Sequence, residues 1–107
     1  MGQITIITCM DYRFTNPKME RLYFAGDWVA QYPSPVAKAF FNKMQQIVDA
    51  TNENDLRALK SNHFEKLAGE TNKYSIRLNQ GYRLIFSLQK GNNSNIIEIL
   101  EISNHYS

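Results

Sequence analysis

Cysteine, net charge and long apolar runs are all scarce in this 107-residue sequence. The single cysteine, Cys9, excludes an intramolecular disulfide and is typical of a protein of the reducing cytoplasm. No apolar stretch reaches the roughly 20 residues that a membrane-spanning helix needs, and the first residues lack the basic and apolar regions of a signal peptide. We therefore expect a cytoplasmic protein that does not contact a membrane.

The sequence also lacks the common motifs of cofactor and metal chemistry. It has no phosphate-binding P-loop, no glycine-rich dinucleotide fingerprint and no His/Cys cluster with metal-ligand spacing. The length suits one domain, and we assign residues 1–107 to it. We expect neither a metal ion nor a cofactor.

The charge that is present is unevenly distributed. The formal net charge is only +2, which does not by itself indicate a nucleic-acid-binding protein. Residues 57–83, however, contain six Lys or Arg residues and only two Glu residues. This basic segment is either an ordinary solvated surface or a site for an anion.

Hydrophobic periodicity and capping residues predict the secondary structure. Residues 4–9 are β-branched and apolar, as in a covered strand. Asn16-Pro17 predicts the start of a first helix, which ends at Gly26. Ser34-Pro35 predicts the start of a second, longer helix with an apolar stripe of Val36, Phe40, Met44, Ile47 and Val48.

The second half of the chain predicts a short helical turn and then a meander of strands. Leu56 and Leu59 mark the turn, and the strands span residues 73–78, 82–89 and 96–102. The fold class is therefore α+β, with an N-terminal strand and two main helices packed on one face of a small antiparallel sheet that ends in a three-stranded meander.

The central hairpin has a register that its apolar residues specify. Its two alternating runs share one apolar face only if Leu78 opposes Tyr82 and residues 79–81 form the loop. This register places Arg77 directly opposite Arg83 on the side away from the helices. Like charges in that position are destabilising, so their pairing suggests a function.

Two guanidinium groups on one sheet face suit a phosphate, which could bridge both of them. His105 and Tyr106 follow the last strand, and they reach the same end of the sheet if that strand pairs with residues 82–89. A His and a Tyr beside clustered cations could transfer protons at a phosphodiester. The alternative is that these residues have only structural roles. The arginines would then pair with surface carboxylates, His105 and Tyr106 would belong to a frayed C-terminus, and His63 would simply lie beside core residues.

The second half of the chain resembles the HigB-type killer toxins of the RelE/ParE toxin–antitoxin superfamily. The resemblance covers residues 55–107, and its motifs are Leu67-Ala68-Gly69, "YSIRLN" at residues 74–79, Tyr82-Arg83-Leu84 and the tail Asn104-His105-Tyr106. Ala68 stands where many relatives carry a Lys.

The resemblance implies a metal-independent endoribonuclease that cuts mRNA on the ribosome and is neutralised by a helix-turn-helix, HigA-like antitoxin in a hetero-oligomeric complex. Arg77 and Arg83 would hold the scissile phosphate, and His105 or Tyr106 would assist proton transfer or stack on a base. We expect RNA and ribosome binding from Lys60, His63, Lys66 and Lys73.

Two other functions fit a fold of this superfamily, because members share the fold without sharing the chemistry. One is a non-enzymatic, ParE-like poison of DNA gyrase. The other is a degenerate toxin that survives only as a partner of its antitoxin. The paired arginines and the His-Tyr ending favour the nuclease, whereas Ala68 and the modest net charge favour the other two functions.

Overall fold

The structure is a computed structural model, and it describes residues 10–79, 81–91 and 95–104. The described chain forms three α-helices and five strands with two short 3-10 turns between them. In chain order the elements are β1 (Asp11–Phe14), α1 (Pro17–Ala25), the turn Val29–Gln31, α2 (Ser34–Asp49), α3 (Glu53–Arg57), the turn Lys60–Asn62, β2 (Glu65–Lys66), β3 (Lys73–Asn79), β4 (Tyr82–Lys90) and β5 (Asn95–Ser103).

The five strands form one mixed sheet in the order β1-β5-β4-β3-β2. Strands β2 to β5 are antiparallel neighbours, whereas β1 pairs with β5 in parallel. The predicted α+β class and the C-terminal meander are confirmed. The predicted strand at residues 4–9 lies outside the described residues, and the short edge strands β1 and β2 were not predicted.

Helix α1 forms where its capping residues predict it. The Asn16 side chain accepts a hydrogen bond from the Lys18 backbone N–H at 3.0 Å, and Pro17 occupies the first helical position. At the other end, Gly26 adopts φ 72° in the left-handed region, where a residue with a Cβ would be strained.

Helix α2 begins one residue before the predicted start. Pro33 is the cap residue, and its carbonyl accepts hydrogen bonds from Val36 and Ala37 at 2.9 and 3.1 Å. Ser34 is therefore the first helical residue and does not act as the cap. Four members of the predicted stripe are buried and Val48 is half-buried.

The hydrophobic core lies between the helices and one face of the sheet. The helices contribute Met19, Leu22, Phe40, Met44 and Ile47, and the strands contribute Ile76, Leu84, Phe86, Ile97 and Ile99, all of them almost fully buried. Burial of this apolar surface supplies the main favourable free energy of folding. Among the described residues no helix is both long and apolar enough to cross a membrane.

The β3–β4 hairpin has the predicted register over most of its length. Ile76 pairs with Leu84 and Arg77 pairs with Arg83, but the register then shifts, so that Asn79 and not Leu78 faces Tyr82. The shift leaves Leu78 as an extra residue, as in a β-bulge, while its side chain remains buried. The prediction that Leu78 opposes Tyr82 is wrong, but the arginine pairing is confirmed.

Candidate nucleic-acid interface

The paired arginines lie on the sheet face opposite to the helices. The Arg77 guanidinium is half-buried, and within the described part of the chain no hydrogen bond or ion pair holds it. Arg77 is thus a positively charged fork that is free to bind an anion. The neighbouring Arg83 charge raises the local positive potential, although solvent ions screen part of it.

Arg83 is held quite differently from Arg77. Only 9% of Arg83 is exposed. Its Nε donates a hydrogen bond to Ser75 Oγ at 2.7 Å, and its Nη2 donates to the His63 backbone carbonyl. Arg83 is on the predicted side of the sheet but is buried there, because the small Ser75 side chain leaves room for the guanidinium to lie across β3.

Strand β2 adds a carboxylate to this surface. Glu65 pairs with Ser75 in the β2–β3 ladder, so its side chain is on the same face as the arginines. A Glu65 carboxylate oxygen lies 4.0 Å from Arg83 Nη2, and the Glu65 side chain is 62% exposed. Glu65 could not be assigned to this site from the sequence, because a two-residue strand has no periodicity that would assign its side chains to a face.

His63 lies two residues before Glu65, the first residue of this strand, and is exposed. Its backbone adopts φ 44°, in the left-handed region that non-glycine residues seldom occupy. This conformation accompanies the Arg83 hydrogen bond to the His63 carbonyl. The structure therefore brings the His63 backbone next to Arg83.

The end of β5 reaches the same place. Ser103 is the register partner of Arg83, so Arg77, Arg83 and Ser103 form one row across β3, β4 and β5. The predicted pairing of the last strand with β4 is confirmed. His105 and Tyr106 lie outside the described residues, and the described chain ends at Asn104, one residue after this row.

The predicted RNA-binding lysines are not all on this face. Lys73 shares the face of Arg77, four residues along β3, and lies 3.7 Å from the Glu70 carboxylate. Lys66 pairs with Tyr74 and is therefore on the helix side of the sheet. Lys60 lies in the 3-10 turn just before His63 and is exposed.

The turn between β2 and β3 forms an open pocket of about 350 Å³, lined by residues 66–72. Ala68 lies in this lining and is exposed. Its methyl group supplies no charge to the pocket wall.

A second polar cluster lies towards the β1 edge of the same face. Glu98 accepts hydrogen bonds from Arg13 Nε at 2.7 Å and from Ser87 Oγ at 2.9 Å. Burial raises the pKa of the Glu98 carboxyl, but the hydrogen bonds from Ser87 and Arg13 and the Arg13 charge outweigh it, so the pKa lies below its ordinary value. Arg13 is thus neutralised by Glu98, and it adds no free cation to the arginine surface.

No group of three or more potential metal ligands occurs among the described His, Cys, Asp and Glu residues. The chemistry that the described surface offers is a free guanidinium, a second guanidinium fixed by protein groups, an exposed carboxylate and an exposed imidazole. These groups suit the binding of a phosphate and the movement of protons beside it.

Comparisons with known proteins identify the class of fold. A solved structure described as a YoeB/ParE toxin from Agrobacterium tumefaciens matches 91% of this chain and 100% of its own, with a TM-score of 0.59 and 13% sequence identity. This chain, with its α+β order and five-stranded sheet, thus has the fold of the RelE/ParE toxins.

Sequence comparisons then give the family. The model of the HigB-like toxins, RelE-like toxins of type II toxin–antitoxin systems, matches residues 12–102. Toxin HigB-1 of Vibrio cholerae is 36% identical over 81 aligned residues, covering 65% of this chain and 85% of the relative. An uncharacterized protein of Haemophilus influenzae is 37% identical over 84 residues, covering 78% and 83% of the two chains. The chain belongs to the HigB-like toxin family, and a type II toxin implies an antitoxin partner.

Proposed function

We propose that this toxin is a ribosome-dependent endoribonuclease that cleaves mRNA through attack of a ribose 2′-OH on the adjacent phosphate. A 2′-O–P bond forms and the P–O5′ bond breaks, giving a 2′,3′-cyclic phosphate and a 5′-OH. A general base accepts the proton of the 2′-OH, and a general acid donates a proton to the departing 5′ oxygen. The reaction needs no metal ion in this proposal.

The observation that carries the proposal is the free Arg77 guanidinium next to the fixed Arg83 guanidinium. Negative charge on the phosphate oxygens grows in the transition state, and donors that are already oriented stabilise it without reorganisation. Arg77 can bind the phosphate directly, because no described group competes for its donors. Arg83 supplies a second positive charge at the register position opposite.

Proton transfer has candidates on both sides of the arginine row. Glu65 is an exposed carboxylate within 4.0 Å of Arg83, and a carboxylate in this position can accept the 2′-OH proton. His105 and Tyr106 follow Ser103 and Asn104 in the sequence, and we propose that one of them donates to the 5′ oxygen or stacks on a base. His63, which is exposed and whose backbone carbonyl accepts a hydrogen bond from Arg83, is a further candidate.

We propose that Lys60, Lys66 and Lys73 bind RNA and the ribosome, Lys66 from the other face of the sheet. Lys60 and Lys66 are exposed and have no ion-pair partner among the described residues, so both are available for phosphates. Lys73 must first exchange its ion pair with Glu70. Because such contacts are electrostatic, binding should weaken as the salt concentration rises.

We further propose that the antitoxin is a helix-turn-helix, HigA-like protein and that the two form a hetero-oligomer in the cytoplasm. Synthesis of the toxin without this partner should then arrest growth.

The test is to induce the toxin in cells and map mRNA 5′ ends, with Arg77→Ala as the inactive comparison. New 5′ ends within translated regions are expected for the unaltered toxin and not for the variant. Growth arrest with unchanged transcripts would refute the proposal. A supercoiling assay with purified gyrase would then identify a gyrase poison, and antitoxin binding without any toxicity would identify a degenerate toxin.

A further inference from the structure

Ser75 is a fully buried polar residue between the two arginines and strand β2. Its hydroxyl has 0% exposure and accepts the hydrogen bond from Arg83 Nε at 2.7 Å. Ser75 also pairs with Glu65 on one side and with Ile85 on the other. A buried hydroxyl that accepts from a guanidinium keeps a charged group satisfied where water does not reach it.

The Arg83 side chain bridges three strands. It starts on β4, passes Ser75 on β3, and ends at the His63 carbonyl and the Glu65 carboxylate next to β2. Strand β2 has only two residues in the ladder, so its own pairing with β3 is short. The guanidinium therefore adds polar contacts next to β2, the strand of the site with the shortest backbone pairing.

We propose that Ser75 and Arg83 act as positioning residues that hold the 63–65 segment, which carries His63 and the Glu65 carboxylate, against the sheet on the side of the Arg77–Arg83 pair. In this assignment Arg77 touches the RNA phosphate, whereas Arg83 acts mainly through the segment that it anchors. The inference depends on the proposed nuclease activity.

The contacts of Arg83 favour this role over direct binding of the phosphate. Two of its nitrogen atoms already donate to protein oxygens, and the residue is 9% exposed. A phosphate that took both donors would leave the Ser75 hydroxyl without its donor and release the His63 carbonyl. Because catalytic rates depend steeply on the placement of reacting groups, a small displacement of this segment would lower the rate without weakening RNA binding equally.

The experiment compares the full-length toxin with Ser75→Ala, which removes the acceptor, and Arg83→Lys, which keeps the charge but removes the fork. Ser87→Ala is the matched control, because Ser87 is a buried serine on the same face that instead donates to Glu98. Backbone amide hydrogen exchange is measured for residues 63–67 and, as a reference for global stability, for residues 84–86. The values of kcat and KM are measured for mRNA cleavage on translating ribosomes.

We expect faster exchange at residues 63–67 in Ser75→Ala and Arg83→Lys, without the same change at residues 84–86. We expect kcat of Ser75→Ala to fall by about ten- to a hundredfold, with KM changed by less than about twofold because binding contacts remain. Ser87→Ala should leave the exchange of residues 63–67 and kcat unchanged.

The outcomes separate the two proposals. Normal kcat in Ser75→Ala, or a reduced kcat with unchanged exchange at residues 63–67, overturns the positioning role. A higher KM with normal kcat also overturns it and indicates that Arg83 binds the RNA directly. If the unaltered toxin cleaves no mRNA, the nuclease proposal is refuted and the catalytic part of this inference with it, while the exchange data still decide whether Arg83 anchors the segment.

Discussion

Arg77 and Arg83 are register partners on neighbouring strands, yet no described group holds Arg77, whereas Arg83 is fixed by Ser75 and the His63 carbonyl. Two like charges directly opposite each other on a sheet oppose folding unless other groups offset their repulsion. The Glu65 carboxylate, 4.0 Å from Arg83, offsets part of it. The pair therefore combines a structural cation with one that is available to a ligand.

Alanine substitutions should separate these two roles. Arg77→Ala should change the free energy of unfolding by less than about 0.5 kcal/mol, because it removes no described contact. Its cleavage rate should fall by about a hundredfold or more, since the direct phosphate contact is lost. Arg83→Ala should lose activity and also about 1–3 kcal/mol of stability, because buried polar groups lose their partner. Urea denaturation and mRNA cleavage measure the two effects.

Lys90→Ala is the control for the loss of one positive charge. Lys90 is exposed at the far end of β4, seven residues from Arg83, or roughly 23 Å along an extended strand. It should cleave like the unaltered toxin. An equal loss of activity in Lys90→Ala and Arg77→Ala would mean that net charge, and not the Arg77 position, controls the reaction.

Glu98 should make stability depend on pH at the acidic end. Its pKa is lower in the folded protein than in the unfolded chain, so the unfolded chain binds more protons as the pH falls. The contribution is fully present above the unfolded-state pKa and is lost as the pH falls through the lower, folded-state value. Glu98→Gln should reduce the free energy of unfolding by about 1 kcal/mol at neutral pH, because it removes the charge of the carboxylate that accepts the hydrogen bonds from Arg13 and Ser87. The effect is no larger because Arg13, the ion-pair partner, is exposed and screened.

The comparison at acidic pH tests the cause. Below the folded-state pKa the unaltered protein carries a neutral Glu98, so the difference from Glu98→Gln should shrink. Thermal unfolding midpoints measured from neutral to acidic pH give this difference directly. A difference that stays constant over the whole range would contradict the electrostatic origin.

Lys43 should be a site where removing a charge stabilises the protein. It is 9% exposed on α2, and burial lowers its pKa. The described part of the chain provides no carboxylate partner for it. Lys43→Met keeps the length and the helix propensity of the side chain, and we expect about 0.5–2 kcal/mol of added stability in urea denaturation, since a poorly solvated ammonium is removed. Lys38→Met, at an exposed position of the same helix, should have little effect.

Asn16 should contribute more than an ordinary helix cap. Its Oδ1 accepts from Lys18 N–H at 3.0 Å, and its Nδ2 donates to the Leu100 carbonyl of β5 at 2.9 Å. Asn16→Ala loses both bonds and should cost about 2 kcal/mol. Asn16→Asp keeps the cap but loses the donor to Leu100, so its free energy of unfolding should lie between those of the unaltered protein and Asn16→Ala. Equal stability of Asn16→Ala and Asn16→Asp would mean that the cap bond to Lys18 contributes nothing, whereas an Asn16→Asp variant as stable as the unaltered protein would mean that the Leu100 bond contributes nothing.

The sequence allowed accurate prediction where a local signal is complete. The Asn16-Pro17 start and the Gly26 end define α1, and alternation of apolar residues fixes the Arg77–Arg83 register. The short strands β1 and β2 could not be predicted in this way. Strand β1 has four residues and pairs in parallel with β5, more than 80 residues later in the chain, and β2 has only two residues in its ladder.

The burial of Arg83 also could not be predicted from local sequence patterns. Alternation assigns its side chain to the face away from the helices, which is correct, but exposure depends on what that side chain meets there. Here it meets the small Ser75 on the neighbouring strand and a carbonyl of His63, 20 residues earlier in the chain. Neither contact follows from periodicity. The same arrangement brings the Glu65 carboxylate next to Arg83, which is why its place in the site could not be predicted from the sequence.

Glu65 provides the last test, of the proton-transfer step. In Glu65→Gln the side chain keeps its size and its place opposite Ser75, but the amide cannot accept a proton as a carboxylate does. If Glu65 is the general base, kcat should fall by about 10²–10⁴-fold while KM and stability stay close to normal, because the ion pair with Arg83 is long and exposed. Glu101→Gln, an exposed carboxylate on the same face next to Ile85, is the matched control and should retain full activity. Normal cleavage by Glu65→Gln would exclude it as the base and direct the search to His63, His105 and Tyr106, which the corresponding His→Gln and Tyr→Phe variants then separate.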